Sequence, residues 1–401
     1  MDWEVAEARK KRKRRQKKSK KARIRRECPP CQKRKGKARR CKPVASGVSC
    51  GECLACNKGR CEAVSDGVTC PEPGPVPDCY TTVPEVYWQT DVSALIAMGS
   101  TADFDAKRQQ IIDHIWKGAG LPPAQDVLIT PEVASPIPGV ANLASVDELA
   151  ITVEDLVSHV FWFHPEEANG RLALYHAGHS ETLGEAGGDG AIQMLVERGF
   201  TVLGFFMPGF GPNTRLPGPE PRHNVSAAQE TATFSPLVYF LSPIPVALNT
   251  VLAQQAFADI TMLGISGGGW ATTLYAAIDP RIVLSFPIAG SYPAFLREAP
   301  CSTVSERGDW EQSQADLYRR IDYTQLYVLG AAGPGRRQFQ ILNQYDACCF
   351  SGLRYQVYEG AVASTVASAG LGHFAVWLDD STRNEHVISA WARNRIAEVL
   401  G

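Results

Sequence analysis

Hydrophobic and polar positions follow two alternating patterns over most of this chain. From about Val83 onward, short hydrophobic runs rich in β-branched and aromatic residues alternate with stretches whose apolar residues recur at helical spacing. This order of signals predicts an α/β fold in which a mostly parallel sheet is flanked by helices. The runs at 148–153 and 157–165 follow each other closely and predict an antiparallel pair that opens the sheet.

The later hydrophobic runs predict the remaining strands. They are RLALYHAGH, GFTVLGFFMPGFG, ITMLGIS, RIVLSFPIAG, QFQILNQYD (338–346) and HFAVWLDD (373–380). Apolar residues at helical spacing predict a helix over 353–368, and the same spacing predicts a last helix that begins near Val387. His386 is therefore expected at the junction of the last strand and the last helix.

The N-terminal part of the chain has a different composition. The net charge is −1, yet 21 of the 41 Lys and Arg residues lie between Arg9 and Lys42. Such a charge run cannot collapse on itself, so residues 1–27 are expected to be a disordered polybasic arm. Residues 9–42 would then attract an anionic surface or another polyanion, or serve only as a solubilising linker.

Nine of the twelve cysteines lie between Cys28 and Cys79, and eight of them form two copies of one pattern. The copies are Cys28, Cys31, Cys41, Cys50 and Cys53, Cys56, Cys61, Cys70. Because 28–70 has almost no large apolar residues, it needs disulfides or a metal to hold it together. Disulfides are favoured, and a four-cysteine zinc site is the alternative.

The cysteine repeat also bears on location and on domain boundaries. It resembles cysteine-rich repeats of extracellular bacterial proteins, which implies an extracellular or cell-surface location, although no secretory signal is visible. Proline-rich residues 71–82 are expected to form a linker that leaves Cys79 as an odd cysteine, and 83–401 the large domain. No apolar run is long enough to predict a transmembrane segment.

A glycine-rich turn in the large domain carries the strongest chemical signal. Gly264-Ile-Ser266-Gly-Gly268 follows a hydrophobic strand and precedes an alanine-rich helix. A serine at a sharp strand-to-helix turn needs small residues two positions before and after it, and the helix N-terminus favours developing negative charge. Ser266 is therefore the expected nucleophile.

A serine hydroxyl needs a histidine as general base and an acid that orients this histidine. In the expected chain order, Asp346 at the end of its strand is the favoured acid, and Asp379 or Asp380 would replace it. His386 and His373 are the histidines after Asp346. His386 is the favoured base, and His373 stays as the alternative.

The other parts of the expected site are backbone donors and a small cap. The oxyanion needs two N–H groups, for which Gly267 and His179 are the candidates. Residues 291–325 separate two predicted strands by more than a short crossover and are expected to form the cap. Adjacent Cys348 and Cys349 rarely bond each other, so one of them would pair with Cys301 or both would simply be buried.

At these motifs the chain resembles the α/β-hydrolase superfamily over roughly residues 145–401. The motifs are YHAGH, MPGFG, GISGGGW, AAIDPRI, QYDACCF and HVIS, and the nearest analogy is with esterases and dienelactone hydrolases. The resemblance implies hydrolysis of a small-molecule or polymer ester through an acyl-enzyme, with no cofactor and no metal in the site. One departure is the long gap between Asp346 and His386, which keeps His373 under consideration.

Two other functions compete with the esterase hypothesis. A serine peptidase would use the same fold and the same three residues. Alternatively, the chain would bind nucleic acid or another polyanion through a zinc-organised N-terminal segment beside an inert hydrolase domain.

Overall fold

The computed structural model describes residues 76–125, 127–213, 229–297, 308–370 and 372–401, together with the backbone of five short strands between 32 and 63. The chain divides into two compact units, Met1–Val76 and Pro77–Gly401. The second unit thus begins earlier than the predicted start at Val83. Tyr80, inside the segment predicted as a linker, is already a buried core residue of this unit.

The described backbone of the first unit consists of small antiparallel sheets. Gln32–Arg34 pairs with Cys41–Pro43, and a three-stranded sheet contains Ser49–Gly51, Leu54–Asn57 and Arg60–Ala63. The polybasic arm at 1–27 and the cysteine side chains of the 28–70 repeat lie outside the described residues. The choice between disulfides and zinc there stays a prediction.

A nine-stranded sheet forms the centre of the second unit. In chain order its strands are β1 (Leu128–Thr130), β2 (Leu143–Val153), β3 (Leu156–Pro165), β4 (Leu172–His176), β5 (Thr201–Phe205), β6 (Ile260–Ile265), β7 (Ile282–Ile288), β8 (Arg337–Tyr345) and β9 (His373–Arg383). Their order in the sheet is β1-β2-β3-β5-β4-β6-β7-β8-β9. Strands β4 to β9 are parallel, whereas β1, β2 and β3 form the antiparallel end, as the sequence predicts for the opening pair.

Helices connect the strands. The α-helices are α1 (Glu85–Trp88), α2 (Val92–Ile96), α3 (Thr101–Ile115), α4 (Gly188–Glu197), α5 (Leu237–Leu241), α6 (Pro243–Gln254), α7 (Gly267–Ile278), α8 (Trp310–Ser313), α9 (Ala315–Tyr318), α10 (Tyr323–Ala331), α11 (Glu359–Ser368) and α12 (Ala390–Leu400). Single turns of 3-10 helix occupy Asp78–Tyr80, Glu185–Gly187, Ala294–Leu296 and Arg354–Val357.

The sheet separates two hydrophobic cores. Along β4, Leu172 and Leu174 belong to one core, and Ala173 and Tyr175 belong to the other. This follows from the period of two in a strand, which sends successive side chains to opposite faces. All residues of β4, β5 and β6 are buried, which explains why their sequences are continuous hydrophobic runs.

The C-terminal elements agree with the sequence pattern apart from their ends. The helix predicted over 353–368 is a 3-10 turn followed by α11, and β9 starts at His373 as predicted. The last helix begins at Ala390, because Ser389 is its N-cap and accepts a hydrogen bond from the N–H of Ala392. His386 lies between β9 and α12, as expected.

Helices α5 and α6 form one long apolar stretch. Residues 237–254 have the length and composition of a membrane-crossing helix, but 72% of the stretch is buried inside the protein. Burial of this extent is what a core helix requires, so the apolar composition is explained by packing against the sheet.

A cluster of tyrosines surrounds a buried arginine at the start of the predicted cap. Arg297 lies over the ring of Tyr323 at 4.3 Å, and its Nε donates to the carbonyl of Tyr292 at 2.7 Å. Tyr318 stacks on Tyr323 with 4.6 Å between ring centroids. The cation therefore packs among aromatic rings and donates to a carbonyl oxygen, as a buried charge must.

Candidate active site

Ser266 occupies a strained turn between β6 and α7. Its backbone has φ 59° and ψ −125°, a conformation that non-glycine residues rarely adopt. Its N–H donates to the carbonyl of Ile288 at 3.0 Å, and its own carbonyl accepts from the N–H of Trp270. The turn holds a half-buried serine at the carboxyl edge of the parallel strands.

The glycines on either side of Ser266 are required by close backbone contacts. A Cβ on Gly264 would lie 2.5 Å from the carbonyl oxygen of Gly268. A Cβ on Gly268 would lie 2.0 Å from the carbonyl oxygen of His176. The structure thus gives the physical reason for the G-x-S-x-G spacing seen in the sequence.

Asp346 and His386 are hydrogen-bonded to each other. Asp346 directly follows β8 and is fully buried, and its Oδ2 lies 2.6 Å from Nδ1 of His386. A carboxylate only accepts hydrogen bonds, so Nδ1 carries the proton in this pair. This leaves Nε2 of His386 as the acceptor nitrogen, and among the described residues it has no hydrogen-bond partner.

Three hydrogen bonds, joined by short stretches of β7 and β8, link the serine turn to the histidine loop across the sheet. Ser266 is bonded to Ile288 at the end of β7, and the next residue, Ala289, donates to Ile341 of β8. Asn343, also on β8, donates from Nδ2 to the carbonyl of Val387 at 2.9 Å. Since the carboxyl ends of parallel strands meet at one edge, Ser266, Asp346 and His386 share this edge.

His373, the alternative base, lies at the other edge of the sheet. It is the exposed first residue of β9 and pairs in register with Arg337, the first residue of β8. Asp346 follows the far end of the same strand, roughly 30 Å away at the usual rise per residue. The structure therefore brings Asp346 together with His386 and not with His373.

The alternative acids have other surroundings. Asp379 is buried in β9 and accepts hydrogen bonds from the hydroxyls of Ser381 and Ser389. Ser389 is the N-cap of α12, so Asp379 supports the start of that helix. Asp380 is exposed.

The loop after β4 packs directly on the serine turn. Gly178 has φ +71°, and a Cβ there would lie 2.5 Å from the carbonyl oxygen of Ile265. The N–H of Gly178 donates to Nδ1 of His176 at 3.2 Å. This N–H is therefore not available to bind an oxyanion. Gly267, as the first residue of α7, has no acceptor within the helix for its N–H.

Comparisons with known proteins bear on the fold. No protein-family model and no curated protein matches the sequence. Among solved structures, one described as methylesterase BT1017 superposes with TM-score 0.53 at 13% identity over 77% of this chain and 67% of its own. This chain has the α/β-hydrolase fold.

Other structures of this fold match less well. Acetyl xylan esterase 1 from Thermoanaerobacterium sp. JW/SL YS485 has TM-score 0.47 at 14% identity, with 77% of this chain and 98% of its own covered. An S-formylglutathione hydrolase from Agrobacterium tumefaciens has TM-score 0.45 at 17% identity, with 69% of this chain and 100% of its own covered.

The segment predicted as a cap reaches the loop after β4 through a buried acid. Nε2 of His179 lies 3.0 Å from Oε1 of Glu311 and 3.3 Å from Oδ2 of Asp309. Burial of the imidazole opposes its protonation, but the hydrogen bond and charge of Glu311, aided by Asp309, outweigh burial and raise the pKa of His179. A Cβ on Gly267 would lie 2.6 Å from Cε1 of His179, so the imidazole lies against the serine turn.

Glu311 is the residue of the site that the sequence does not reveal. It lies in α8, within the segment predicted as a cap, and its side chain is fully buried. The sequence around it has no motif, and its partner His179 is 132 positions away. The donor atoms of His179, Asp309 and Glu311 are close enough to hold a cation, but the imidazole–carboxylate pairing already accounts for their proximity.

The prediction for the cysteines near Asp346 is wrong. Cys348 and Cys349 form a disulfide with each other, not with Cys301. The cause is local: both backbone N–H groups turn toward Oδ1 of Asp346, at 2.7 and 3.1 Å, and this tight turn brings the two side chains together. Cys79, expected to be odd, is also disulfide-bonded.

Proposed function

We propose that this protein is a serine hydrolase that cleaves a carboxylic ester or a related acyl bond through an acyl-enzyme intermediate. The observation that carries the proposal is the hydrogen bond between the buried Asp346 and His386 at the sheet edge that also holds the strained Ser266. The named methylesterase among the structures of this fold agrees with ester chemistry.

In the proposed mechanism His386 acts as the general base. Its Nε2 takes the proton of the Ser266 hydroxyl while Ser266 Oγ attacks the acyl carbon. Asp346 keeps the proton on Nδ1 and stabilises the imidazolium that forms. The same imidazolium then donates its proton to the leaving alcohol, and water repeats the sequence to release the acid.

The negative charge on the tetrahedral intermediate needs donors that are already oriented. We assign the backbone N–H groups of Gly267 and His179 to this role, with support from the positive end of α7. The close contact of Gly178 with the turn after β6 supports the assignment, since it fixes the neighbouring His179 beside Gly267. The ion pair of His179 with Glu311 would hold this loop in place.

The proposal is tested by labelling the purified full-length chain with a fluorophosphonate, followed by kinetics on p-nitrophenyl esters of increasing acyl length. We expect the wild-type protein to be labelled and Ser266→Ala to show neither labelling nor turnover. His386→Ala should lose nearly all activity, whereas the matched variant His373→Ala should keep wild-type kinetics. A folded wild-type protein that is not labelled would refute the proposal. Cleavage of peptides but not of esters would show that the protein is a serine peptidase instead.

A further inference from the structure

The loop that follows β8 contains a disulfide between neighbouring residues in direct contact with the acid–base pair. The Sγ atoms of Cys348 and Cys349 and a ring nitrogen of His386 all lie within 4.8 Å of one another. Both cysteines are half-buried, so a small reductant can reach them. The disulfide therefore lies beside the imidazole, so a change in the conformation of the loop would act directly on the position of His386.

The two oxygens of Asp346 are shared between this loop and the histidine. Oδ1 accepts the backbone N–H of Cys348 and of Cys349, and Oδ2 binds Nδ1 of His386. The orientation of the carboxylate is thus set from the loop side by two N–H donors. Any movement of these donors would rotate the carboxylate and shift the imidazole.

The disulfide fixes one of the two donors covalently. The S–S bond closes a small ring that includes the peptide bond between Cys348 and Cys349, and the N–H of Cys349 belongs to that peptide bond. The N–H of Cys348 directly precedes the ring. Opening the ring frees the rotations about this peptide unit, so the donors of Oδ1 lose their fixed direction.

The base of the loop is held by other contacts. The N–H of Gly352 donates to the carbonyl of Gln344 at 2.9 Å, and the hydroxyl of Tyr292 donates to the carbonyls of Ser351 and Gly352 at 3.3 and 3.2 Å. These bonds do not involve the cysteines. The loop therefore keeps its place when the disulfide opens, and only its tip, next to Asp346, is released.

We propose that the Cys348–Cys349 disulfide is a positioning element for the Asp346–His386 pair and that its reduction by a dithiol weakens the hydrolase. The inference rests on the function proposed above. A thiolate of the dithiol attacks one Sγ and breaks the S–S bond, and the second thiol closes the reductant's own disulfide. The reductant loses two electrons and two protons, and Cys348 and Cys349 become thiols.

The experiment compares the oxidised full-length protein, the protein treated with dithiothreitol, and the variant Cys348→Ser/Cys349→Ser. We expect reduction to lower kcat for a p-nitrophenyl ester about tenfold or more with little change in KM, since small displacements of catalytic groups have effects of this size. The double variant should have the kcat of the reduced protein and should not respond to dithiothreitol. Because it retains every other cysteine, it reports any effect of reducing the other disulfides.

A second readout does not depend on turnover. The ring N–H proton of His386 that binds Asp346 should give a downfield proton magnetic resonance signal, assigned by its absence in His386→Ala. We expect this signal in the oxidised protein and its loss or broadening in the reduced protein and in the double variant. The double variant, which keeps the other disulfides, should unfold at the wild-type temperature.

The outcomes separate the two proposals. If the reduced protein and the double variant keep both the wild-type kcat and the His386 signal, the disulfide has no positioning role. A double variant that keeps wild-type kcat while still losing activity in dithiothreitol would likewise overturn the inference, because another disulfide would then be responsible. If the oxidised wild type is not labelled by a fluorophosphonate, the hydrolase proposal fails, and the His386 signal alone decides the role of the disulfide.

Discussion

Two buried carboxylates near the ends of the last strands make different hydrogen bonds. Asp346 receives the backbone N–H groups of its own loop on one oxygen and His386 on the other. Among the residues that the structure describes, Asp379 receives the hydroxyls of Ser381 and Ser389 and no histidine. The proposed mechanism therefore gives a catalytic role to the first and a structural role to the second.

Replacing each acid by its amide tests this difference. Asp346→Asn should lower kcat/KM by on the order of 10³ to 10⁴, because an amide no longer holds the proton on Nδ1 of His386. Asp379→Asn should change kcat/KM by less than about threefold and lower the free energy of unfolding by about 1 to 3 kcal/mol. Ester kinetics and urea denaturation of both variants provide the comparison, and the reverse ranking of their kinetics would contradict the assignment.

His176, at the end of β4, is a buried histidine whose charge matters for stability. Burial, with a smaller contribution from nearby His179, lowers the pKa of His176 to about 3. A lowered folded-state pKa means that the unfolded chain takes up the proton first, near the ordinary pKa of 6.5. The stability that neutral His176 provides is thus present above pH 6.5 and is lost as the pH falls toward 3.

The variant His176→Asn keeps an acceptor for the N–H of Gly178 but does not titrate. Between pH 7.5 and 4.5 we expect the wild type to lose roughly 2 to 3 kcal/mol more unfolding free energy than the variant. Urea denaturation at the two pH values measures both losses. Equal losses would show that His176 does not stay neutral in the folded protein.

The loop after β4 and the turn after β6 are in direct backbone contact. Gly178→Ala should reduce the free energy of unfolding by about 2 kcal/mol and also reduce activity, because a Cβ would press on the carbonyl of Ile265 in a left-handed conformation. The matched control is Gly360→Ala in α11, where a Cβ meets nothing within 4 Å. It should stabilise the protein by about 0.5 to 1 kcal/mol without changing kcat. Thermal unfolding and ester kinetics of the pair decide between site-specific and general effects.

The sequence predicts the strands and helices whose apolar residues recur at a regular spacing. It does not predict features that depend on contacts between distant parts of the chain. The hydrophobic runs identify β2 to β9, and chain order combined with strand ends identifies Ser266, Asp346 and His386 as candidates. Glu311 could not be found, because its burial depends on His179 of a remote loop. The bond between Cys348 and Cys349 depends on a turn around Asp346, and the spacing of apolar residues does not indicate this turn.

Positive charge is concentrated in the N-terminal part of the chain. The deletion of residues 2–27 should leave ester kinetics unchanged. It should weaken binding to an immobilised polyanion such as heparin, and the remaining binding should depend less on salt concentration. The deletion retains all twelve cysteines. Elution by increasing salt measures the effect. If both proteins elute at the same salt concentration, the polybasic arm is not the binding segment.

The tyrosines around Arg297 give the protein an optical reporter of its own folding. Burial raises the pKa of Tyr318 and of Tyr323 above the ordinary value of 10. The unfolded chain would release these phenolic protons first, so the stability they provide is lost as the pH rises above 10. In an alkaline titration, the ultraviolet absorbance of their tyrosinates should therefore appear only when the aromatic cluster opens, and it should follow unfolding without any added dye.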